Sequence, residues 1–78
     1  MVNDFPSRSA VERVKMEYPA GTRVELVQMD DSYTKIPPGT QGTVRAVDDI
    51  GTIHVSWENG SSLGVVYGVD VIKKVNVQ

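Results

Sequence analysis

The sequence predicts a small, mainly β domain with one short α-helix at its N-terminus. Three observations support this fold class. The chain has only 78 residues, apolar residues alternate with polar ones along most of it, and turns rich in glycine and proline separate the alternating segments. A chain of this length has room for one small domain with one core.

The composition narrows the possible functions. Cysteine is absent, which excludes disulfides, thiolate zinc sites and cysteine nucleophiles. The net charge of −2 argues against a nucleic-acid-binding role, because such domains usually carry an excess of basic residues to neutralise phosphates. No apolar segment approaches the roughly 18 residues that span a bilayer, and the first residues lack a secretory pattern. We therefore expect a cytoplasmic protein that does not contact membranes.

A short helix is predicted at 9–18, after a frayed segment at 1–8. Ser9 and Glu12 have the spacing of a capping box, in which each side chain bonds the amide of the other residue. Pro19 ends the helix, because the residue before a proline is disfavoured in the α region. The apolar residues that form one helical stripe are Val11, Val14 and Tyr18.

Five short strands are predicted within 21–76, each with one apolar face. Val24 and Leu26 share a face of the first strand, and a last strand lies around 71–75. Trp57 is in phase with the apolar residues of the third strand, which places it in the core. The other apolar residues expected on core faces are Val44, Ala46, Ile53, Val55, Leu63, Val65 and Tyr67.

The turns between the predicted strands suggest how the strands are arranged. A long polar loop at 30–40 follows the first strand, and a turn at 48–51 precedes the third. Asn59-Gly60 predicts a type I′ hairpin, in which both residues adopt positive φ. Another tight turn at 68–70 precedes the last strand. This pattern is typical of a five-stranded SH3-like barrel, with the helix packed over one open end.

Several sequence segments also carry a family resemblance. They are Tyr-Pro-Ala-Gly-Thr-Arg-Val-Glu-Leu at 18–26, Met-Asp-Asp at 29–31, Pro-Gly-Thr-Gln-Gly-Thr-Val at 38–44, Asp-Asp at 48–49, Gly-Thr-Ile-His-Val-Ser-Trp-Glu-Asn-Gly-Ser at 51–61 and Tyr-Gly-Val-Asp at 67–70. Together they resemble a small family of unknown function found in Gram-positive bacteria, their phages and mobile elements. The resemblance covers 18–75 and implies an SH3-like barrel with no established activity.

A looser resemblance points to peptide binding. A Gly-Thr step, a Trp-Glu-Asn-Gly turn and a following tyrosine are similar to features of the SH3-like domains of Mind-bomb-type ubiquitin ligases. Those domains bind peptide segments of partner proteins. This chain has Asp31-Ser32-Tyr33 where those domains carry a tryptophan-rich motif, so the resemblance implies a class of activity rather than a ligand.

We predict a non-enzymatic module that binds a protein or peptide through the loop after the first strand. Acidic residues around this loop would favour a basic ligand, and Tyr33 is equally compatible with a binding or a core role. The predicted ligand-binding residues are Asp30, Asp31, Tyr33, Asp48, Asp49, Glu58 and Tyr67. The domain is expected to be a monomer.

No catalytic, cofactor-binding or metal-binding residues are predicted. His54 is the lone histidine and lies on a polar strand face without a nucleophile beside it. The acid pairs lack the spacing of a calcium loop. Two alternatives remain open: a structural or assembly role in a phage or mobile element, and a nucleic-acid-binding barrel. The residues that would contact nucleic acid are Arg23, Arg45, His54 and Lys73.

Overall fold

The protein consists of one short helix followed by five antiparallel strands in a single sheet. The computed structural model describes residues 7–29, 36–66 and 69–75. The elements are α1 Arg8–Glu17, β1 Arg23–Gln28, β2 Gln41–Val47, β3 Thr52–Trp57, β4 Gly64–Val66 and β5 Val71–Lys74. The predicted mainly β fold with an N-terminal helix is therefore confirmed.

The strands lie in the order β4-β3-β2-β1-β5. The first four follow one another as neighbours, and β5 returns to pair with the open side of β1. Among the described residues no ladder joins β4 to β5, so the sheet is open and not closed as a barrel. The predicted closure of the five strands is thus not observed.

Helix α1 begins two residues earlier than the capping pattern predicts. Ser7 is the N-cap: its backbone is extended, and its Oγ accepts a hydrogen bond from the Ala10 amide at 3.1 Å. The prediction of a capping box at Ser9 is wrong, because Ser9 already lies inside the first helical turn. The helix ends at Glu17, as expected before a proline. Val11 and Val14 are buried, which confirms the apolar stripe.

The N-cap assignment can be tested by alanine substitution. We expect Ser7→Ala to lower the free energy of unfolding by about 1 kcal/mol, because it leaves an orphan amide of the first turn without its acceptor. Ser9→Ala is the matched control and should change stability by no more than about 0.5 kcal/mol. Urea unfolding followed by circular dichroism measures both. A larger loss for Ser9→Ala would support the capping box instead.

Two copies of one turn lead into β1 and β2. Each has the sequence Pro-x-Gly-Thr, a glycine at φ near +95° and a threonine bonded back to the proline carbonyl. In the first copy Thr22 Oγ1 donates to the Pro19 carbonyl at 2.6 Å, and in the second Thr40 Oγ1 donates to the Pro37 carbonyl at 2.8 Å. A glycine with positive φ at the third position is the signature of a type II turn.

The two turns are related by an approximate twofold axis that passes between Val24 and Gly42, which face each other in the β1–β2 ladder. The Gly21 amide donates to the carbonyl of Val44, and the Gly39 amide donates to the carbonyl of Leu26, each at 2.8 Å. Two further bonds, from the amides of Val44 and Leu26 to the threonine carbonyls, are also 2.8 Å long. The β1–β2 pair is therefore built from a repeated segment.

A β-bulge in β2 changes which of its residues face the core. Val44 pairs with Val55, but Ala46 pairs with His54, so one extra residue lies in β2 between them. The expectation that Ala46 faces the core is wrong, because the bulge turns it outward and brings Val47 against the core instead. Strict alternation predicts faces only where the register is unbroken.

The turns on either side of β3 share one geometry. In each, an amide donates to the carbonyl three residues earlier, and only the glycine has positive φ: Gly51 in the first and Gly60 in the second. The prediction of a type I′ turn is wrong, because Asn59 does not adopt positive φ. The pattern is that of a type I turn followed by a glycine bulge. Leu63, expected on the core face, lies before β4 and is 36% exposed.

The core lies on one face of the sheet, against helix α1. Trp57 is only 3% exposed, which confirms its predicted core position, and its Nε1 donates to the Leu63 carbonyl at 2.9 Å. Burying this polar atom costs little because it is hydrogen-bonded. The buried core residues are Val14, Val24, Leu26, Ile36, Val44, Ile53, Val55, Trp57 and Val65.

The connection from β4 to β5 brings the two outer strands of the sheet together. The Val66 carbonyl accepts from the amides of Val69 and Asp70 at 3.1 and 2.9 Å, and the Asp70 carboxylate accepts from the Val66 amide at 2.9 Å. In a flat sheet the outer two of five strands would be about 19 Å apart at the usual strand spacing. The sheet must therefore curve strongly around its core.

Candidate functional site

The structure describes three of the seven predicted ligand-binding residues. Asp48 and Asp49 lie together at the turn between β2 and β3, and Glu58 lies at the turn between β3 and β4. The two turns stand at opposite ends of β3, a strand of six residues. The remaining predicted residues, Asp30, Asp31, Tyr33 and Tyr67, lie outside the described residues.

Asp48 holds the β2–β3 turn together through its carboxylate. Its Oδ1 accepts from the amides of Ile50 and Thr52 at 3.1 and 2.9 Å, and its Oδ2 lies 3.0 Å from His54 Nε2. Partial desolvation is the largest single effect and acts to raise the pKa of the Asp48 carboxyl. The hydrogen bonds from His54 and the two amides together outweigh it, so this pKa lies below its usual value.

The lowered pKa predicts that Asp48 contributes to stability in a pH-dependent way. A carboxyl whose pKa is lower in the folded than in the unfolded state stabilises the fold above the unfolded pKa of about 4, and this contribution is lost as pH falls through the folded pKa. We expect Asp48→Asn to be less stable than the wild type near pH 7, and the difference to shrink as pH falls below about 4. Thermal melts of both proteins across this range measure it. A difference that grows towards acid pH would contradict the expectation.

Asp49 faces helix α1 across a shallow cleft. Its Oδ1 lies 3.2 Å from Lys15 Nζ, and the carboxylate itself is almost fully exposed. The cleft has a volume of about 470 Å³, and Arg8, Val11 and Glu12 complete its described lining. Because the ion pair is exposed, it contributes at most about 1 kcal/mol. It links the helix loosely to the β2–β3 turn.

Glu58 is part of a polar network on the outer face of the sheet. Its carboxylate pairs with Arg23, whose guanidinium also donates to Thr43 Oγ1 at 3.0 Å. On the same face, Glu25 lies 3.5 Å from Lys73 Nζ and accepts from Gln41 Nε2 at 3.4 Å. These contacts join side chains of β5, β1 and β2 in cross-strand rows, an arrangement that stabilises antiparallel sheets.

The network also involves most of the basic residues of the nucleic-acid alternative. Arg23 pairs with Glu58, Lys73 with Glu25, and His54 with Asp48. Arg45 is exposed on the bulged part of β2. Each of these three pairs places a carboxylate beside the group that would contact a phosphate, so the positive potential on this face is largely cancelled.

Four exposed valines form a surface that the sequence did not point to. Val66, Val69 and Val71 follow one another through the β4–β5 connection, and Val27 is the extra residue of a β1 bulge beside Val71. They are between 43% and 50% exposed. We call these residues the valine surface. In the sequence, only the adjacent pair Val65-Val66 indicated an exposed valine. Adjacent residues of a strand point to opposite faces of the sheet, so one of these two valines must face outward.

Residues 7–29, 36–66 and 69–75 contain neither a candidate metal site nor a candidate membrane span. No group of three or more His, Asp or Glu side chains there could hold a metal ion. No helix in these ranges is long and apolar enough to cross a membrane.

The comparisons with known proteins identify a family but no activity. No curated protein and no solved structure gives a significant match. The model of one family, described as Domain of unknown function (DUF4314), matches residues 7–75, which is most of the chain. The chain therefore belongs to this family of domains of unknown function.

Proposed function

We propose that this domain is a non-enzymatic binding module of SH3-like architecture that binds an extended peptide segment of a partner protein. The observation that carries the proposal is the valine surface, since exposed apolar side chains grouped on one segment of a fold are a common feature of binding sites. None of these four valines belongs to the core cluster of the described residues.

Three features of the sheet support the SH3-like part of the proposal. The strand order places β5 beside β1, as the predicted architecture requires. The bulge in β2 lets one long strand bend, which is how small β folds curve around a core. The hydrogen bonds of Val66 with Val69 and Asp70 bring the ends of the outer strands together.

The position of the valine surface along the chain connects it with the residues that the sequence predicted for ligand binding. Val27 is followed after two residues by the segment that contains Tyr33, and Tyr67 directly follows Val66. A ligand that covers the four valines would meet their apolar side chains, which are between 43% and 50% exposed. Burial of apolar surface contributes about 25 cal/mol per Å², so the ligand should itself carry apolar side chains.

The charges favour this apolar ligand over the basic one that the sequence predicted. Asp48, Asp49 and Glu58 each lie beside a cationic or titratable partner, so they attract a basic ligand less strongly than free carboxylates would. The same pairing gives less support to nucleic-acid binding. Peptide binding is therefore the function that we propose.

The proposal can be tested with one surface substitution. Short peptides that bind the wild-type domain are first selected from a random displayed library. We expect these peptides to bind Val69→Asp at least about tenfold more weakly than the wild type, because the ligand would desolvate the new carboxylate. Thermal stability should stay within about 3 °C of the wild type, since Val69 is half exposed. Titration calorimetry and thermal melts measure the two effects.

Met16→Asp is the matched control, because Met16 is 82% exposed and lies on helix α1, not on the strands and connection that carry the four valines. This variant should bind the selected peptides as the wild type does. Equal binding by Val69→Asp would show that the ligand lies elsewhere on the domain. Failure to select any peptide with a Kd below about 1 mM would reject the proposed function itself.

A further inference from the structure

We infer that the open edge of β5 binds an extended, acidic segment of a partner protein as an additional strand of the sheet. The inference rests on the proposed function and specifies how the peptide binds and what charge it carries. Addition of a strand to an exposed sheet edge is one of the recurrent modes of peptide recognition, in which main-chain hydrogen bonds provide much of the affinity.

The hydrogen-bond pattern shows which groups of β5 are open. The Val75 amide donates to the Arg23 carbonyl at 2.9 Å, so residue 75 points its main chain towards β1. Main-chain groups alternate in direction along an antiparallel strand. Lys73, which is paired with Glu25, therefore also bonds β1, whereas Ile72 and Lys74 direct their amides and carbonyls away from it. Among the described residues no other strand pairs with this side of β5.

The opposite edge of the sheet is blocked at the end of β4. The Val66 amide is occupied by the Asp70 carboxylate, and the Val66 carbonyl accepts from two amides of the following turn. An added strand would have to displace these bonds. Between the described residues no such bond occupies the outward main-chain groups of Ile72 and Lys74, which makes the β5 edge the accessible one in this part of the chain.

Two lysines give this edge its charge. The Lys73 side chain is 62% exposed and forms an ion pair with Glu25 on the outer face of the sheet. The Nζ of Lys74 lies 5.2 Å from the centre of the Tyr18 ring. The two residues point to opposite faces of the sheet because they are adjacent in the strand. The positive charge that an added strand meets therefore comes mainly from Lys74, since Glu25 offsets that of Lys73 on the other face.

The same charges decide between a partner protein and a second copy of this chain. If β5 paired with β5 of another copy in antiparallel fashion, the Lys73-Lys74 segments of both copies would lie close together, and like charges that face each other across a ladder are destabilising. Lysines on edge strands commonly prevent such self-pairing. A strand with acidic residues gains attraction at the same positions. The occupant is thus an acidic and apolar segment from another protein.

The test uses a short, end-blocked peptide of alternating valine and glutamate as the probe. We expect it to slow hydrogen exchange of the Ile72 and Lys74 amides, measured by NMR, because these amides would donate to the added strand. The Lys73 and Val75 amides, which already bond β1, should show no comparable slowing. The matched control peptide carries lysine in place of glutamate and should bind at least about tenfold more weakly.

Two variants of Lys74 separate the main-chain contribution from the charge. Lys74→Pro removes an outward amide without touching a bond to β1, as proline is tolerated at edge positions whose amide faces solvent. It should abolish binding of the valine–glutamate probe, with Lys74→Ala as its control. If Lys74→Pro does not fold, Lys74→Glu replaces it and should weaken the probe at least about tenfold by charge reversal.

The outcomes distinguish this inference from the proposed function. If saturating probe does not slow hydrogen exchange of the Ile72 and Lys74 amides, the edge inference is overturned. It is also overturned if sedimentation shows a dimer of the wild-type domain that Lys74→Pro abolishes. If selected peptides still lose affinity on Val69→Asp in either case, the proposed function stands. If the probe protects the edge while Val69→Asp leaves the affinity of the selected peptides unchanged, only the assignment of the valine surface is lost.

Discussion

Replacement of Trp57 by alanine is expected to remove about 3–5 kcal/mol from the free energy of unfolding. The side chain is 3% exposed and belongs to the core cluster, so its loss leaves a cavity that the surrounding strands cannot fill. A domain of 78 residues has a total stability of about 4–12 kcal/mol. Urea unfolding followed by circular dichroism should therefore show a large fall in the midpoint of the transition, and an unfolded protein where the wild-type stability is at the low end of this range.

Trp57→Phe is the matched control for this substitution. It keeps an aromatic ring in the core but loses the hydrogen bond from Nε1 to the Leu63 carbonyl. Because Leu63 is partly exposed, water can replace this donor, and we expect a loss of only about 1–2 kcal/mol. If Trp57→Ala were as stable as the wild type, this would contradict the core position of Trp57 and would make the residue a candidate for ligand contact.

Replacement of Gly42 by alanine is the second substitution with a large expected effect. A Cβ at this position would lie 2.6 Å from Val55 Cγ1 and 2.7 Å from the Ser56 carbonyl oxygen. It would also lie 3.0 Å from Cε3 of Trp57. The carbonyl belongs to the neighbouring strand and cannot move without breaking the β2–β3 ladder. We expect Gly42→Ala to lower the free energy of unfolding by about 1–3 kcal/mol. Thermal melts measure the loss, since each kcal/mol lowers Tm by roughly 4–8 °C in a domain of this size.

Gly64→Ala is the control for Gly42→Ala, since both are strand glycines without positive φ. A Cβ on Gly64 would lie 2.8 Å from Thr52 Cγ2 but no closer than 3.8 Å to the Ile53 carbonyl oxygen. Because the Thr52 side chain can shift more easily than the Ser56 backbone, Gly64→Ala should cost less stability than Gly42→Ala. The reverse order of stabilities would show that β2 and β3 are not closely apposed at Gly42.

Local sequence patterns predicted the positions that face the core wherever the strand register is regular. Alternation identified Val24 and Leu26 in β1 and Ile53 and Val55 in β3, all of which are buried. It failed at Ala46, because a bulge inserts one residue and reverses the faces beyond it. A bulge depends on how two strands pair, and a single strand's alternation does not reveal it.

The sequence predicted that a serine caps the helix and that a turn joins β3 to β4, but it predicted the wrong serine and the wrong type of turn. Ser9 was predicted to cap the helix, but it lies in the first helical turn, and Ser7 has the extended backbone of the N-cap. The Asn59-Gly60 hairpin forms as expected, but with positive φ at Gly60 only. Asparagine can adopt either negative or positive φ, and the way the loop joins β3 to β4 selects the negative φ at Asn59.

The candidate site depended more strongly on the tertiary structure. The acidic residues Asp48 and Glu58 look alike in the sequence, yet they lie at opposite ends of β3 and each has its own partner. Arg23 and Glu58 are separated by 35 residues along the chain. Such long-range pairs follow from strand order and register, which no local pattern encodes.

The sequence by itself determined a small β domain with an N-terminal helix, a single core and a buried Trp57, because periodicity and turn residues act over a few neighbouring positions. Only the tertiary structure decided which apolar residues stay exposed, which charges are paired and which strand edge is open. Exposure of Val69 and Val71 follows from the path between β4 and β5, and the open edge at Lys74 follows from the return of β5 to β1. Packing and strand order bring distant segments together, so the surface emerges only when all five strands are in place.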